Sequence, residues 1–573
     1  MVNIAYTWLV GAARCEIVFS ETGIGMMGYG RSDNIIKGRA TPLFSRAFCF
    51  VNQEGQASFF AQAELCMIFP EVKRAVIERL QIEHDKSVFN DKTVMITSQH
   101  THSAPGGFSH FPFYNFSVPG FRPEIFNAVV SSLAEAIQQS WQRRQPATLK
   151  FTHGDFAEDQ HVAFNRSLPA YNRNSDVSPL STSETHRAIE RTMWLLKAET
   201  ADGKAIGQIN WFGVHPTSVG NRNTLVSYDN KGYAAEAVEQ ALGPDTVAIF
   251  AQQFAGDVSP NAQGKGVPGW GRGPHKDEHE NARFNGNLQA TQALKLINQL
   301  EAEHQLSDGT IDSELIYRDL SNCESDEDFT DGIKGERTSA ACHGLPFFGG
   351  SPVDGPGAPA PVLLLLKGLA HIWRWREWRN ARQQGGEQLT AVQAKYKAQS
   401  PKLIVSESAI GRLLGLDSVQ GLPSSLDPIL KEMQQQERAG ALIEKPWVPG
   451  VLPLHFMRIG ELALIGFPGE ITTQSGRQLR ALCQQILSPL GVHHVVISSY
   501  ANAYFGYCTT PAEYEEQLYE GGHTTFGKQT HNAFRTEYRK LLCECIKSPA
   551  QRLLNSDQPE TFSAETLAKR SVI

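Results

Sequence analysis

Several short apolar runs in this chain end in polar turns, and they stand far apart in the sequence. Val94-Met95-Ile96-Thr97 leads into His100-Thr101-His102 and then Pro105-Gly106-Gly107. Residues 205–212 lead into Gly213-Val214-His215-Pro216, and residues 462–467 into Pro468-Gly469-Glu470. Residues 494–500 lead into the segment from Tyr504 to Tyr507. β-branched runs bounded by Gly and Pro read as buried strands that end in loops. Helical segments are predicted between them, over 123–144, 230–242, 278–300 and 474–487. Strands alternating with helices give an α/β fold, with a mixed sheet. Loops after strands are where such folds place functional residues. If these polar groups share one site, both ends of the chain belong to one domain, taken here as residues 1–547.

The middle of the chain has a different character. Residues 306–361 are rich in Gly, Pro, Ser and Asp and read as long loops. Helix-prone stretches follow at 363–382 and 389–397, and then a polar stretch to about 441. Residues 306–445 are therefore expected to form a mainly helical insertion with long loops. Its segment His371-Ile372-Trp373-Arg374-Trp375-Arg376-Glu377-Trp378-Arg379 alternates tryptophan with cations. Such a helix can lie at a lipid interface, or it can pack its tryptophans inward and leave its arginines in water. We expect the second. Residues 548–573 read as a polar, peripheral tail.

Composition removes several classes of function. The formal charge is −7 and the hydrophobic fraction 41%, which describes an ordinary globular chain and no nucleic-acid binder. The nine cysteines form no CxxC pair, so no disulfide framework is expected and a reducing compartment fits. Cys543-Glu544-Cys545 lacks a second pair and is read as chance. Residues 1–10 have no basic start and only a short apolar run, unlike a leader peptide. A cytoplasmic location is the expectation. Val362 to Leu366 is far short of the roughly 20 residues that span a bilayer.

Two residues apart on an extended strand, His100 and His102 would face the same way. They could share a metal ion, divide metal and substrate between them, or simply hydrogen-bond in a loop. Glu470 follows a Pro-Gly turn that can aim a carboxylate, or it caps a helix. Two imidazoles and one carboxylate make a catalytic zinc set with a position left for water. Spacing alone does not bring His100, His215 and Glu470 together.

Several longer motifs add a resemblance. Gly23-Ile24-Gly25-Met26-Met27-Gly28-Tyr29-Gly30, His100 to Gly107, Asn210 to Val219 and Ser227-Tyr228-Asp229-Asn230-Lys231-Gly232-Tyr233 resemble the neutral (non-lysosomal) ceramidase family. So do Gly256-Asp257-Val258-Ser259-Pro260-Asn261, Gly466 to Glu470, and Ala501 to Pro511, in the family's order. The likeness runs from about residue 6 to about residue 530.

The resemblance implies a zinc ion held by His100, His215, Glu470 and Tyr507. It implies His102 as the residue that handles protons, and Arg166 and Tyr519 at the scissile carbonyl. Ser259 is expected to bind substrate or shape its loop, and Asp354 to be structural. The implied reaction is zinc-dependent hydrolysis of the amide of ceramide or another N-acyl lipid, with a peripheral membrane contact. The alternatives are a zinc hydrolase of a small amide or ester, and a non-catalytic lipid-binding relative. Many family members carry a leader peptide and a C-terminal immunoglobulin-like domain, and neither is expected here. Gln99 and Ser103, on either side of the histidines, depart from the family's usual residues.

Overall fold

The computed structural model describes residues 8–20, 23–261, 273–351, 353–423 and 427–572. The start of the chain, residues 1–7, on which the reading of no leader peptide rests, lies outside them.

Two mixed sheets face each other. The first has eight strands: β1 (Trp8–Glu16), β2 (Phe44–Asn52), β3 (Ala57–Ala63), β4 (Val94–Ser98), β5 (Gln145–Asp155), β6 (Thr192–Glu199), β7 (Ala205–Trp211) and β8 (Val247–Ala251). Their order across the sheet is β8-β7-β6-β5-β1-β2-β3-β4. The second sheet has four: β9 (Ile311–Asp319), β10 (Val451–Ile459), β11 (Leu462–Gly466) and β12 (His494–Ser498), in that order. Three neighbouring pairs are parallel: β3 with β4, β7 with β8, and β11 with β12. The other long strands pair antiparallel, as in β1 with β2 and β9 with β10.

Side chains alternate across a strand, and here both faces are apolar. Phe48 and Phe50 of β2 join Leu462 and Leu464 of β11 in the core between the sheets. Ala47, Cys49 and Val51, on the opposite face of β2, meet the helices α1 (Pro70–Glu83) and α2 (Pro123–Gln142). Helices α3 (Asp229–Leu242) and α4 (Glu278–Asn298) cover the far part of the first sheet, against Phe212 and Phe250. The result is a layered α/β body whose parallel strand pairs deliver their C-terminal ends to one region.

Within residues 306–361, read as long loops, the strand β9 closes the edge of the second sheet. Only Ile311, Glu314, Leu315 and Ile316 of its nine residues are buried, so its apolar signal is diluted by solvent-facing polar groups. In the segment expected to be a helical insertion, the long helices are α5 (Ala360–Gln384) and α6 (Gly386–Gln399), and shorter ones span Leu345–Gly349 and Pro428–Arg438. Trp378 stacks on Tyr396 and Trp373 lies against Gly415, but Trp375 is 58% exposed. The expectation of inward tryptophans therefore fails for one of the three. No helix among the described residues is long and apolar enough to cross a membrane.

Two further helices, α7 (Thr473–Leu487) and α8 (Thr530–Cys545), pack on the second sheet. The segment after residue 548 also returns to the body. Its last helix, Ala564–Arg570, ends in a buried guanidinium that donates to the carbonyls of Ala441 (2.9 Å), Glu444 (2.8 Å) and His110 (2.5 Å). A guanidinium with this many carbonyl partners can be buried without a carboxylate, which composition alone does not reveal.

The end of α6 and the residues after it are tied to the segment that completes the site. Gln399 donates to the carbonyl of Thr525 (2.9 Å), and Tyr514 donates to the carbonyl of Gln399 (3.0 Å). The buried Lys402 ammonium donates to the carbonyls of Thr524 (2.7 Å) and Cys342 (3.1 Å). Burial, with no carboxylate beside it, pushes Lys402 down from 10.5 to about 7. The folded pKa is depressed, so the unfolded chain binds the extra proton between pH 7 and 10.5. The corresponding stability is full above pH 10.5 and is lost as pH falls toward 7. Denaturant titrations from pH 7 to 10 should show a rise for wild type, to which Lys402 contributes no more than about 1.4 kcal/mol per pH unit. Lys402→Met should show a smaller rise. Equal slopes would mean that this lysine keeps an ordinary pKa.

Candidate active site

The site is built at the C-terminal ends of β4, β7, β11 and β12. Strand β4 stops at Ser98, and His100 takes a left-handed backbone (φ 80°). His100 and His102 therefore converge through a kinked loop, not along an extended strand, and their Nε2 atoms lie 3.1 Å apart. Each metal-type histidine is oriented from behind. His100 Nδ1 meets the carbonyl of Cys66 (2.7 Å) and His215 Nδ1 that of Val258 (3.1 Å). With Nδ1 committed to a carbonyl, Nε2 of each ring is left facing inward as an acceptor.

Glu470 lies between them. Its Oε1 is 3.3 Å from His100 Nε2 and its Oε2 is 3.0 Å from His215 Nε2. Tyr504 donates to Oε1 (2.5 Å) and Tyr500 to Oε2 (3.1 Å). A two-residue parallel ladder pairs Glu470 with Tyr507 and Ile471 with Cys508. That register sets the phenol of Tyr507 beside the carboxylate, 3.2 Å from His215 Nε2. Gly506, with φ 117°, makes the turn into this ladder, and a Cβ there would lie within 2.9 Å of the His523 ring. The chain thus needs glycine at this position.

Arg166 enters from the other side. Its Nη2 donates to Tyr507 Oη (3.0 Å) and to the carbonyl of Gly256 (2.9 Å). Its Nη1 binds Asp354 (2.6 Å) and its Nε binds Glu520 (2.8 Å). The ring of Tyr519 lies under the same guanidinium, 5.7 Å from its carbon, and 5.4 Å from the ring of Tyr507. Ser259 donates to Asp354 Oδ1 (2.7 Å). Its hydroxyl is thereby used to hold the carboxylate that holds Arg166. The aromatic wall continues through His523 and Phe347, the latter stacked near Tyr519 at 6.1 Å.

Electrostatics follows from burial. Burial alone would raise the Glu470 carboxyl, but His100, His215 and the Tyr504 hydroxyl outweigh it and hold Glu470 well below the usual carboxylate range. Burial pushes His100 down to about 4, and it pushes His102 well below its ordinary value, helped by His100 and His215. Burial also raises the phenols of Tyr507 and Tyr519, against the pull of Arg166. His100 is a neutral imidazole and Glu470 an anion, the protonation states a divalent metal requires. The ligand atoms of His100, His215 and Glu470 all lie within 4.8 Å of one another, and the three residues are buried. Cys66, His100 and His102 form a second such group. There, burial pushes the Cys66 thiol well up, and His100 Nδ1 is already committed to a carbonyl. The first group is the better metal site.

The structure therefore brings His100, His102, His215, Glu470, Tyr507, Arg166 and Tyr519 to one place, with Ser259 one contact behind. The sequence reading missed Tyr500, Tyr504 and Glu520 as partners of the site. Tyr500 and Tyr504 stand in the same strand-end segment as Tyr507, and that was the available signal. Asp354, read as structural, is the carboxylate shared by Arg166 and Ser259.

The comparisons with known proteins bear on this arrangement. The profile of the family described as "Neutral/alkaline non-lysosomal ceramidase, N-terminal" matches residues 8–408 and 432–536. The chain belongs to this family. The neutral ceramidase of Pseudomonas aeruginosa is 32% identical over 554 residues, covering 95% of this chain and 72% of that protein. The neutral ceramidase of Mycobacterium tuberculosis is 31% identical, covering 91% and 74%. The crystal structure of the Pseudomonas neutral ceramidase superposes with a TM-score of 0.77 at 28% identity, over 97% of this chain and 77% of that one. A structure titled "Ceramidase complexed with C2" gives 0.79 at 29% identity, over 98% and 78%. Residues 409–431 lie outside the family match.

Arg166 is the most constrained side chain in this ceramidase-family site, because its fork bridges four acceptors. A lysine keeps the charge but not the fork. Arg166→Lys should stay folded and lose at least about 100-fold in kcat, on the scale of losing one positioned charge donor. Steady-state kinetics with a thermal melt checks this, and near-normal kcat would show that the guanidinium only braces the fold.

Proposed function

We propose that this chain hydrolyses the amide bond of ceramide, giving a sphingoid base and a free fatty acid, with a zinc ion held by His100, His215, Glu470 and Tyr507. The observation that carries the reading is the convergence of two buried imidazoles and one buried carboxylate, in a chain of the ceramidase family. Imidazole and carboxylate donors suit zinc. When bound, such an ion supplies Lewis acidity and lowers the pKa of water into the neutral range.

The protein's own residues do the rest. Glu470 provides the negative charge, and Tyr500 and Tyr504 fix its orientation through their hydroxyls. We assign Arg166 and Tyr519 to the substrate carbonyl, where they would favour the negative charge that develops on its oxygen. His102 stands beside His100 and moves a proton to the amide nitrogen as the carbon–nitrogen bond breaks. The half-buried rings of Phe347 and Tyr519 and the buried ring of His523 line this side of the site and limit the approach of bulk water.

Purified protein should contain about one equivalent of zinc and release fatty acid from N-acylsphingosine, with activity lost on chelation and restored by zinc. His215→Ala should lose most of its metal and about 1000-fold or more of its activity, as expected when one ligand of a catalytic metal is removed. Metal analysis beside a fatty-acid release assay tests both. Fully zinc-loaded protein that leaves ceramide intact while cleaving another N-acyl lipid or a small amide would move the reading to that substrate.

A further inference from the structure

The helix α5 carries an outward face that the catalytic site does not use. Leu364, Leu365, Ile372 and Trp375 are 72%, 47%, 50% and 58% exposed. Their spacing, at i, i+1, i+8 and i+11, puts all four on one side of a helix. The opposite side is fixed to the body through Ala370 and Ala381. A row of large apolar side chains on a surface is the mark of an interaction site when it is contiguous and rimmed by polar groups.

The rim is cationic. The helix bears Lys367, Arg374, Arg376, Arg379 and Arg382 against one carboxylate, Glu377, in a chain whose net charge is −7. Glu377 is turned inward, paired with Lys395 and Tyr396. Arg379 lies over the ring of exposed Trp375 at 5.5 Å, so cation and indole present one combined surface. Tryptophan and leucine beside arginine make the pattern of a helix lying in a membrane interface. Too charged to span a bilayer, α5 suits a position on one.

Its place in the fold ties it to the site. The helix starts six residues after Asp354, the carboxylate that holds Arg166. Its inner residues Leu366 and Leu369 pack with Phe348 of the short helix Leu345–Gly349. The preceding residue, Phe347, stacks near Tyr519 and touches the His523 ring environment at 4.4 Å. One short helix thus separates the exposed face from the aromatic wall of the site.

We propose that the α5 face docks this protein onto an anionic phospholipid surface, with Leu364, Leu365, Ile372 and Trp375 entering the headgroup region and Arg379 and Arg382 meeting lipid phosphates. The proposal rests on the reading of the substrate as a membrane lipid and adds how the site is brought to it. Apolar insertion supplies depth, and the cations supply a preference for anionic lipid that salt weakens.

The test uses the full chain and vesicles of phosphatidylcholine, alone or with about one-third phosphatidylglycerol. Wild type should sediment with the anionic vesicles at least about tenfold better than with neutral ones, and less well as salt is raised. Leu364→Glu/Ile372→Glu should abolish binding, and Arg379→Glu/Arg382→Glu should remove the anionic preference. Both variants should keep wild-type kcat on a short-chain N-acylsphingosine in solution and lose at least tenfold on vesicle-borne ceramide. Binding that ignores lipid charge or survives both variants overturns the proposal. So does a wild-type dimer that Leu364→Glu/Ile372→Glu makes monomeric without any vesicle binding, which would place a second copy on this face. Wild type that binds vesicles but hydrolyses neither form of ceramide overturns the substrate reading and leaves docking supported.

Discussion

A single buried carboxylate organises this protein. Glu470 is shielded from solvent, and an ionised carboxylate in such a place is costly unless it is paired and hydrogen-bonded. Its partners come from every strand end that reaches the site: His100 after β4, His215 after β7, Tyr500 and Tyr504 after β12. Both sheets must therefore sit in register with each other before this charge is compensated. The facing apolar rows of β2 and β11 help to set that register. Apolar packing brings the two halves together, and the charge then admits only one arrangement of their loops.

Arg166 repeats this logic with the opposite sign. Its guanidinium is held by Asp354, Glu520, the Gly256 carbonyl and the Tyr507 hydroxyl. Ser259, Thr217 and Asn261 in turn fix Asp354. An anion cradled by imidazoles thus faces a cation cradled by carboxylates, with Tyr507 touching both groups. A charge that develops on a reacting carbonyl would find dipoles already aligned, which is the condition for electrostatic stabilisation without reorganisation.

Much of this was legible in the sequence, and the parts that were not share a cause. The strands before His100, His215 and Glu470 show as apolar β-branched runs because both of their faces are buried. Strand β9 did not, since it lies at a sheet edge with few buried residues and reads as loop. The return of the C-terminal segment was hidden because Arg570 satisfies its burial with three backbone carbonyls, which leave no trace in side-chain composition. His100 and His102 were assigned to one face by strand periodicity, whereas a left-handed residue brings them together. Tyr500 and Tyr504 were missed because hydrogen bonds to a distant carboxylate follow no local spacing. Local pattern reveals which segments are buried, but the partners of polar groups depend on how the two sheets meet.

The ladder that pairs Glu470 with Tyr507 has a consequence for how the protein comes into being. His100 and His215 emerge from the ribosome well before Glu470 and its ladder partner Tyr507. Domains assemble as their parts leave the ribosome, so a growing chain carries only two imidazoles of this set until Glu470 and Tyr507 have been made. No chain that stops short of Tyr507 can assemble the proposed ligand set. Catalytic competence thus arrives in one late step, together with closure of the second sheet, and a truncated product that escapes into the cell would carry the histidines without the means to use them.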